Sequence, residues 1–304
     1  MNIDAHLLQQ AAAAAAGGQQ YPSAALYLVA TPIGNLADLS LRAITVLGLV
    51  DALACEDSRV SGALLHHLGL DKPLVALHEH NEREAAAAVI ERLTQGQRVA
   101  YASDAGTPAI SDPGARLVAL ARQAGHRVIP IPGPSSAIAA FSVAGDVQAA
   151  GFRFCGFVPA KGRERDAAIA QACADTQAQV WFETPHRIVA LAQAWAAAAP
   201  QRTATLCREL TKQFETVATM AASELPQWLV ADANRQRGEF VLVLHAQAPS
   251  AQAAGISAGA LATLDLLLAE LPLKQAVALA ARISGESRNE LYDAALARRK
   301  GAPD

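Results

Sequence analysis

Ser103-Asp104-Ala105-Gly106-Thr107-Pro108-Ala109-Ile110-Ser111-Asp112-Pro113-Gly114 gathers carboxylates, hydroxyls, glycines and prolines in one short stretch. Carboxylates of this kind suit a cationic group, and hydroxyls suit an anionic or polar one, while the Pro and Gly residues fix the path of the backbone. No G-x-G-x-x-G and no G-x-x-x-x-G-K-[ST] occurs in the chain, so the stretch reads as a ligand loop for something other than a dinucleotide or a nucleoside triphosphate held in the usual way. His78-Glu79-His80 sets two imidazoles on one face of an extended segment. No third ligand accompanies them, so no metal is expected. Arg153, Lys161, Arg163 and Arg165, with Glu164 the one acid among them, form a local basic segment suited to phosphates. An ordinary solvated loop is the alternative.

The elements that must position these groups follow from the apolar runs. Strands are predicted at 26–30, 51–55, 74–77, 98–102 and 127–131, with helices at 41–47, 82–93 and 115–124 between them. Strands alternating with helices predict a mostly parallel sheet covered on both faces. Its strands end in Thr31-Pro32-Ile33-Gly34-Asn35, Glu56-Asp57-Ser58-Arg59, His78 to Asn81, Ser103 to Gly114 and Pro132-Gly133-Pro134-Ser135-Ser136. Loops at the carboxyl ends of parallel strands share one edge, where α/β proteins bind ligands. Beyond about Ser142 the pattern changes. Strands are predicted at 152–157, 180–183 and 204–207, with helices at 166–174, 187–199 and 223–231. Segments 214–219 and 239–244 are expected to be paired strands that finish a second sheet. An Ala/Pro/Ser/Gln linker, 247–255, leads to helical stretches at 259–271, 273–283 and 287–299, a helix-turn-helix-like module. Residues 255–304 carry no net field, so Arg288, Asn289, Arg298, Arg299 and Lys300 serve RNA contact or packing equally well.

Composition bounds the rest. The 304 residues suggest about two domains of roughly 150 residues each. With 52% hydrophobic and 17% charged residues the chain is compact rather than disordered, and a net charge of −3 offers no overall field for nucleic acid. Cys55, Cys155, Cys173 and Cys207 form no CxxC pair, which argues against structural zinc and a disulfide framework. No apolar run approaches the roughly 20 residues of a membrane span, so no membrane partner is expected. No Lys or Arg precedes Ala11–Ala16, unlike a secretory signal. Residues 1–23 are therefore expected to be a disordered or frayed helical extension, and the location cytoplasmic.

Taken in order, Thr31-Pro32-Ile33-Gly34-Asn35-Leu36, Glu56-Asp57-Ser58-Arg59, His80-Asn81-Glu82, Ser103 to Gly114, Pro132 to Ala137 and Arg208-Glu209-Leu210-Thr211-Lys212 resemble the tetrapyrrole (corrin/porphyrin) methylase superfamily. Within it, they resemble the members that methylate the 2'-hydroxyl of a cytidine in 16S rRNA of the small ribosomal subunit. The resemblance spans about residues 25–300. It implies two α/β domains (24–140 and 141–246) with S-adenosylmethionine in the cleft between them, followed by the helical module, and a homodimer.

By that resemblance Pro32, Ser103, Asp104, Ala105, Gly106, Thr107, Ser135, Ser136, Ala137, Phe182 and Leu210 are cofactor residues. Ser103 and Ala105 stand where the family's Gly-Asp-Pro loop has Gly and Pro. For Asp104 the alternative is a turn residue capping its own backbone. Asp57 and Glu209 are the preferred general bases, ahead of His80, for drawing the proton from a ribose hydroxyl. Each has an ion pair as its alternative, with Arg59 or Arg208. Arg59, His80, Asn81, Lys161, Arg163, Arg187, Arg208 and Lys212 are candidate RNA contacts. A methylase of the same fold acting on a tetrapyrrole or a protein side chain, and a non-catalytic RNA- or ribosome-binding protein, are the competing readings.

Overall fold

A computed structural model describes residues 4–78, 81–111, 113–247 and 256–300. The chain divides into two compact units after Ala246. The first unit holds two five-stranded sheets, and the second holds three helices.

The first sheet contains β1 (Ala25–Val29), β2 (Ala52–Cys55), β3 (Leu74–Ala76), β4 (Val99–Ala102) and β5 (Arg127–Ile131), in the spatial order β3-β2-β4-β1-β5, with every pairing parallel. Successive residues point to opposite faces, and each face finds its own helices. Ala25, Tyr27 and Val29 of β1, Leu53 and Cys55 of β2, and Ala100 and Ala102 of β4 pack with α2 (Leu41–Leu49) and α3 (Ser58–His67). Leu26, Ala54, Val99 and Tyr101 pack on the other side with α4 (Glu82–Thr94) and α5 (Ala115–Gln123). Right-handed crossovers explain the split, because the chain leaving β1 runs one way across the sheet and the chain leaving β4 runs the other. Adjacent strands whose connections diverge mark the crevice where such sheets bind ligands.

Where the sequence reading expected a disordered or frayed helical extension, helix α1 (Ala5–Ala16) is capped and packed, which corrects the disorder and not the helix. Asp4 caps it, Ala12 and Ala16 are buried, and Gln9 Nε2 donates to Leu68 O at 2.6 Å. Its alanines are small enough to lie flush on α2, where Thr45 Oγ1 donates to Ala12 O. The sequence reading also did not anticipate α3, whose polar start conceals a buried Ser61 and Leu65.

Helix α6 (Ser136–Ala144) joins the sheets. Ala137, Ala140 and Ala144 seat it on the second sheet beside Val180, Cys207, Val241 and Val243. A boundary at residue 140 therefore falls inside this helix, and the passage between sheets is the loop before it.

The second sheet comprises β6 (Phe152–Phe157), β7 (Ala178–Glu183), β8 (Thr203–Arg208), β9 (Thr216–Ala221) and β10 (Phe240–Leu244), in the order β6-β7-β10-β8-β9. The strands expected to pair with each other, β9 and β10, do not. Each lies antiparallel to β8, on opposite sides, and β10 also pairs with β7. All five β10 residues are buried, which suits the central position rather than an edge. Helices α7 (Gly162–Ala174), α8 (Ile188–Ala198) and α9 (Leu225–Val230) cover the face carrying Trp181, Leu206 and Leu242.

In the second unit α10 (Ala258–Glu270), α11 (Leu273–Ser284) and α12 (Arg288–Lys300) close around Leu264, Val277, Ala280, Leu291 and Ala295. Ser257 caps α10, and Gly285 ends α11 at φ +74°, a left-handed stop that glycine adopts without strain. Arg298 pairs with Asp265. Most of the expected linker lies outside the described residues. Among the described residues, no helix is long and apolar enough to cross a membrane.

Candidate active site

Four of the five strand-end loops converge among the described residues, and the Ser103–Gly114 loop is their hub. Thr31 and Gly106 exchange backbone hydrogen bonds at 2.9 and 3.0 Å, and Thr31 Oγ1 donates to Ser103 O. The Asp57 N–H donates to Asp104 Oδ1 at 3.0 Å. Thr107 Oγ1 donates to Pro134 O, and the Gly114 N–H donates to Glu82 Oε1 at the start of α4. One loop thus ties down three neighbouring loops and the start of α4. Tyr101 holds its far end by donating to Pro113 O at 2.6 Å.

Between this edge and the second sheet lies a cleft of about 410 Å³, within the range of small-molecule sites. Ile33, Ala105, Ser111 and Ser136 form one wall. Phe182 to Pro185, Leu210 and Gly238 to Val241 form the other. A smaller recess of about 60 Å³ continues it along Ala105, Gly106, Thr107, Ser135 and Ser136, with Phe182 opposite. Phe182 is braced edge-on by Phe154 and Phe157, with ring centroids 5.1 and 5.5 Å away. Ser135 precedes α6 without a side-chain capping bond, so free N–H groups of the first turn stand at the recess.

Backbone strain concentrates on the same two walls. Among the described residues the non-glycine left-handed conformers are Ala24, Ala109, Ser111, Glu209 and Thr211, and all but Ala24 sit in the two loops facing the cleft. Such conformers persist where the surroundings over-determine them, as functional loops do. Gly34 lets the walls approach, because a Cβ there would lie 2.6 Å from Lys212 Cγ.

Of the expected cofactor residues, Ala105, Gly106, Thr107, Ser135, Ser136, Phe182 and Leu210 line this cleft or its recess. Ala137 is buried against the second sheet. Pro32, Ser103 and Asp104 face a separate pocket on the other side of the loop. Wall residues that the sequence reading did not single out include Thr184, Gly238 and Glu239.

The two candidate bases lie on different sheets, and each carboxylate is already engaged. Asp57 caps α3 through the Arg59 N–H and accepts from the Arg59 guanidinium. Hydrogen bonds from the Arg59 side chain, then from its backbone, draw the Asp57 carboxyl down to about 2. Glu209 Oε1 accepts from Lys212 Nζ and from the Glu239 N–H, each at 2.9 Å. Partial burial pushes its carboxyl up, but the Lys212 and Glu239 hydrogen bonds and nearby Arg208 outweigh this and leave it lowered.

The expected RNA contacts divide in the same way. Arg208 donates to Arg237 O and Phe214 O. Arg187 grips the buried Glu183 and Val158 O. Lys212 joins Glu209 to Glu239. These three brace the second wall and are not free cations. Asn81 is likewise engaged, accepting from the His78 N–H and donating to Ala76 O. Lys161 and Arg163 stand exposed at the start of α7 with no ion pair among the described residues, and Arg59 is exposed beyond its partner Asp57. His80 lies outside the described residues. Among the described residues no cluster of His, Cys, Asp and Glu has the makings of a metal site.

Comparison with known proteins agrees with this geometry. Residues 25–226 match the Tetrapyrrole (Corrin/Porphyrin) Methylases, and residues 254–299 match the RsmI C-terminal HTH domain. "Ribosomal RNA small subunit methyltransferase I" of Escherichia coli O157:H7 is 46% identical over 274 residues, 89% of this chain and 94% of that protein. Its namesake from Pseudomonas aeruginosa is 48% identical over 278 residues, 91% and 98% of the two chains. Among solved structures, the cobalt precorrin-4 methyltransferase CbiF shares the fold at 15% identity, with a TM-score of 0.55 over 72% of this chain and 94% of its own. Uroporphyrin-III C-methyltransferase from Thermus thermophilus, complexed with S-adenyl homocysteine, does so at 16% identity and a TM-score of 0.50, over 73% and 97%. With its sheets, its cleft and these near-full-length relatives, the chain belongs to the tetrapyrrole (corrin/porphyrin) methylase family and, within it, to the ribosomal RNA small subunit methyltransferase I group.

Proposed function

We propose that this protein methylates the 2'-hydroxyl of a cytidine ribose in 16S rRNA of the small ribosomal subunit, using S-adenosylmethionine. The observation that carries this reading is identity of 46–48% over about nine-tenths of the chain with relatives named for small-subunit rRNA methylation.

The donor set of the cleft suits such a cofactor. Phe182, with Leu210 and Val241 nearby, offers an apolar face to an adenine ring. The first turn of α6, at Ser135 and Ser136, offers N–H and hydroxyl donors to a carboxylate. The carbonyls of the strained Ser103–Gly114 loop suit an ammonium or sulfonium centre. S-adenosylmethionine supplies the methyl group as a sulfonium.

The protein's own contribution is chiefly positioning. Fixing a hydroxyl in line with a donor can replace much of a barrier that is otherwise entropic. A carboxyl held near 2 is a weak base, so Asp57 gives modest help, taking the proton once Arg59 turns outward to a phosphate. Glu209 holds its loop. Lys161 and Arg163 grip the RNA backbone. The protein acts in the cytoplasm as a homodimer. Transfer of labelled methyl from S-adenosylmethionine to small subunits, compared with an Ala105→Trp variant that fills the cleft, tests the reading. Transfer by the wild-type protein and its loss in the variant are expected, and no transfer by the wild-type protein refutes it.

A further inference from the structure

We infer that the pocket on the reverse side of the Ser103–Gly114 loop receives an unpaired pyrimidine base of the RNA. The inference rests on the reading of the protein as a ribose methyltransferase and names where its substrate nucleotide sits.

The pocket measures about 220 Å³ and is distinct from the cleft. Its sides are Pro32, Leu36, Val60 and Leu64, apolar surfaces that suit the two faces of a flat ring. His67 stands at its rim from α3 and offers an imidazole for stacking, a common partner of splayed-out RNA bases.

Its polar end carries a buried hydroxyl that calls for a partner and a carboxylate oxygen open to accept. Ser103 is 1% exposed, and its Oγ, buried at the pocket, has no hydrogen bond. A buried hydroxyl without a partner is costly and is rarely left so. Beside it, Asp104 accepts the Asp57 N–H on Oδ1, while Oδ2 has no hydrogen bond among the described residues. An acceptor next to a hydroxyl matches the edge of a pyrimidine, where cytosine donates from N4 and accepts at N3, and uracil donates from N3 and accepts at O4.

The position fits the chemistry. Thr31 and Gly106 pair in an isolated bridge, and the short segments beside that bridge line both cavities. Pro32 and Asp104 face the pocket, and Ile33 and Ala105 face the cleft. A single layer of backbone therefore separates a base in the pocket from the donor site. The Asp57 N–H is tied to Asp104 at the pocket. Enzymes that modify nucleotides commonly hold the extruded base in such a recess.

The test uses two variants of the full chain with small ribosomal subunits as substrate. Ser103→Ala removes a hydroxyl that has no protein partner, so it breaks no internal hydrogen bond. Ala63→Trp places a large ring at the pocket from an exposed helical position. In both, calorimetric affinity for S-adenosylmethionine is expected to stay within twofold of wild type, while KM for subunits rises at least fivefold. Unchanged KM in both variants, with the wild-type protein active, overturns the pocket assignment and leaves the methyltransferase reading intact. A parallel loss of S-adenosylmethionine affinity also overturns it, since the pocket would then belong to the cofactor site. Absence of RNA methylation by the wild-type protein removes the reading on which the inference stands.

Discussion

Replacing Arg187 with Met separates a bracing residue from an RNA contact. The Glu183 side chain is fully buried on the cleft wall, and Arg187 meets both its oxygens, Nε to Oε1 at 2.9 Å and Nη2 to Oε2 at 3.0 Å. Arg187 Nη2 also donates to Val158 O, tying the end of β6 to the end of β7. Methionine keeps the aliphatic stem but leaves the carboxylate with the Thr184 N–H as its remaining strong donor. Breaking a buried pair costs about 3–5 kcal/mol. Arg187 is 27% exposed, so water reaches the vacated site and lowers the expected loss to about 2–4 kcal/mol. For a unit of this size, that is a fall in Tm of about 4–16 °C. Urea and thermal unfolding measure it. Glu183→Gln in the Arg187→Met background, which removes the stranded charge, is expected to recover about 1–2 kcal/mol. The reasoning is refuted if Arg187→Met lies within about 0.5 kcal/mol of wild type, or if it raises KM for RNA with stability intact.

Other consequences follow from the same geometry. Gly114 has φ +115°, and a Cβ there would lie 2.2 Å from Tyr101 Cε1, so Gly114→Ala should lose about 2–5 kcal/mol from backbone strain and overpacking. A denaturation midpoint showing less than about 1 kcal/mol would contradict this. Charge reversal at Lys161 and Arg163 should weaken RNA binding and flatten its salt dependence, by about 0.7 in the log–log slope for each phosphate no longer neutralised. An unchanged slope counts against the basic segment. The Asp57 carboxyl, held at about 2, is ionised throughout the neutral range, so kcat/KM should show no acid limb from it above pH 5. Because its folded value lies below its unfolded one, its contribution to stability is complete above about pH 4 and disappears as the pH falls through 2. Asp57→Asn should remove that part of the acid transition, and an identical acid-unfolding curve would contradict the pairing with Arg59.

What the sequence made legible was what short-range pattern controls. Alternation of apolar runs located all five strands of the first sheet, and the polar residues after them located the ligand edge. The order of strands in the second sheet was not legible, because which strand inserts between β7 and β8 depends on long-range pairing. The packing of helix α1 was not legible because an alanine run carries little periodicity, and the helix is held by contacts with α2 and Leu68. At the site, the family resemblance named Ala105, Ser136 and Phe182, which line the cleft, but could not show what their neighbours occupy. Arg187, Arg208 and Lys212 were candidate RNA contacts in sequence, and each meets carbonyls or carboxylates brought to it by the fold. The two sides of the Ser103–Gly114 loop were also indistinct, since the folded path of the loop, not residue type, sets Asp104 and Ala105 on different cavities.

The most direct measurement is nucleotide-resolution mapping, by nuclease digestion and mass spectrometry, of methyl groups transferred from labelled S-adenosylmethionine to small ribosomal subunits. The account predicts label on the 2'-oxygen of a cytidine in 16S rRNA. Label on a base, or none on the RNA while the cofactor still binds, would contradict it.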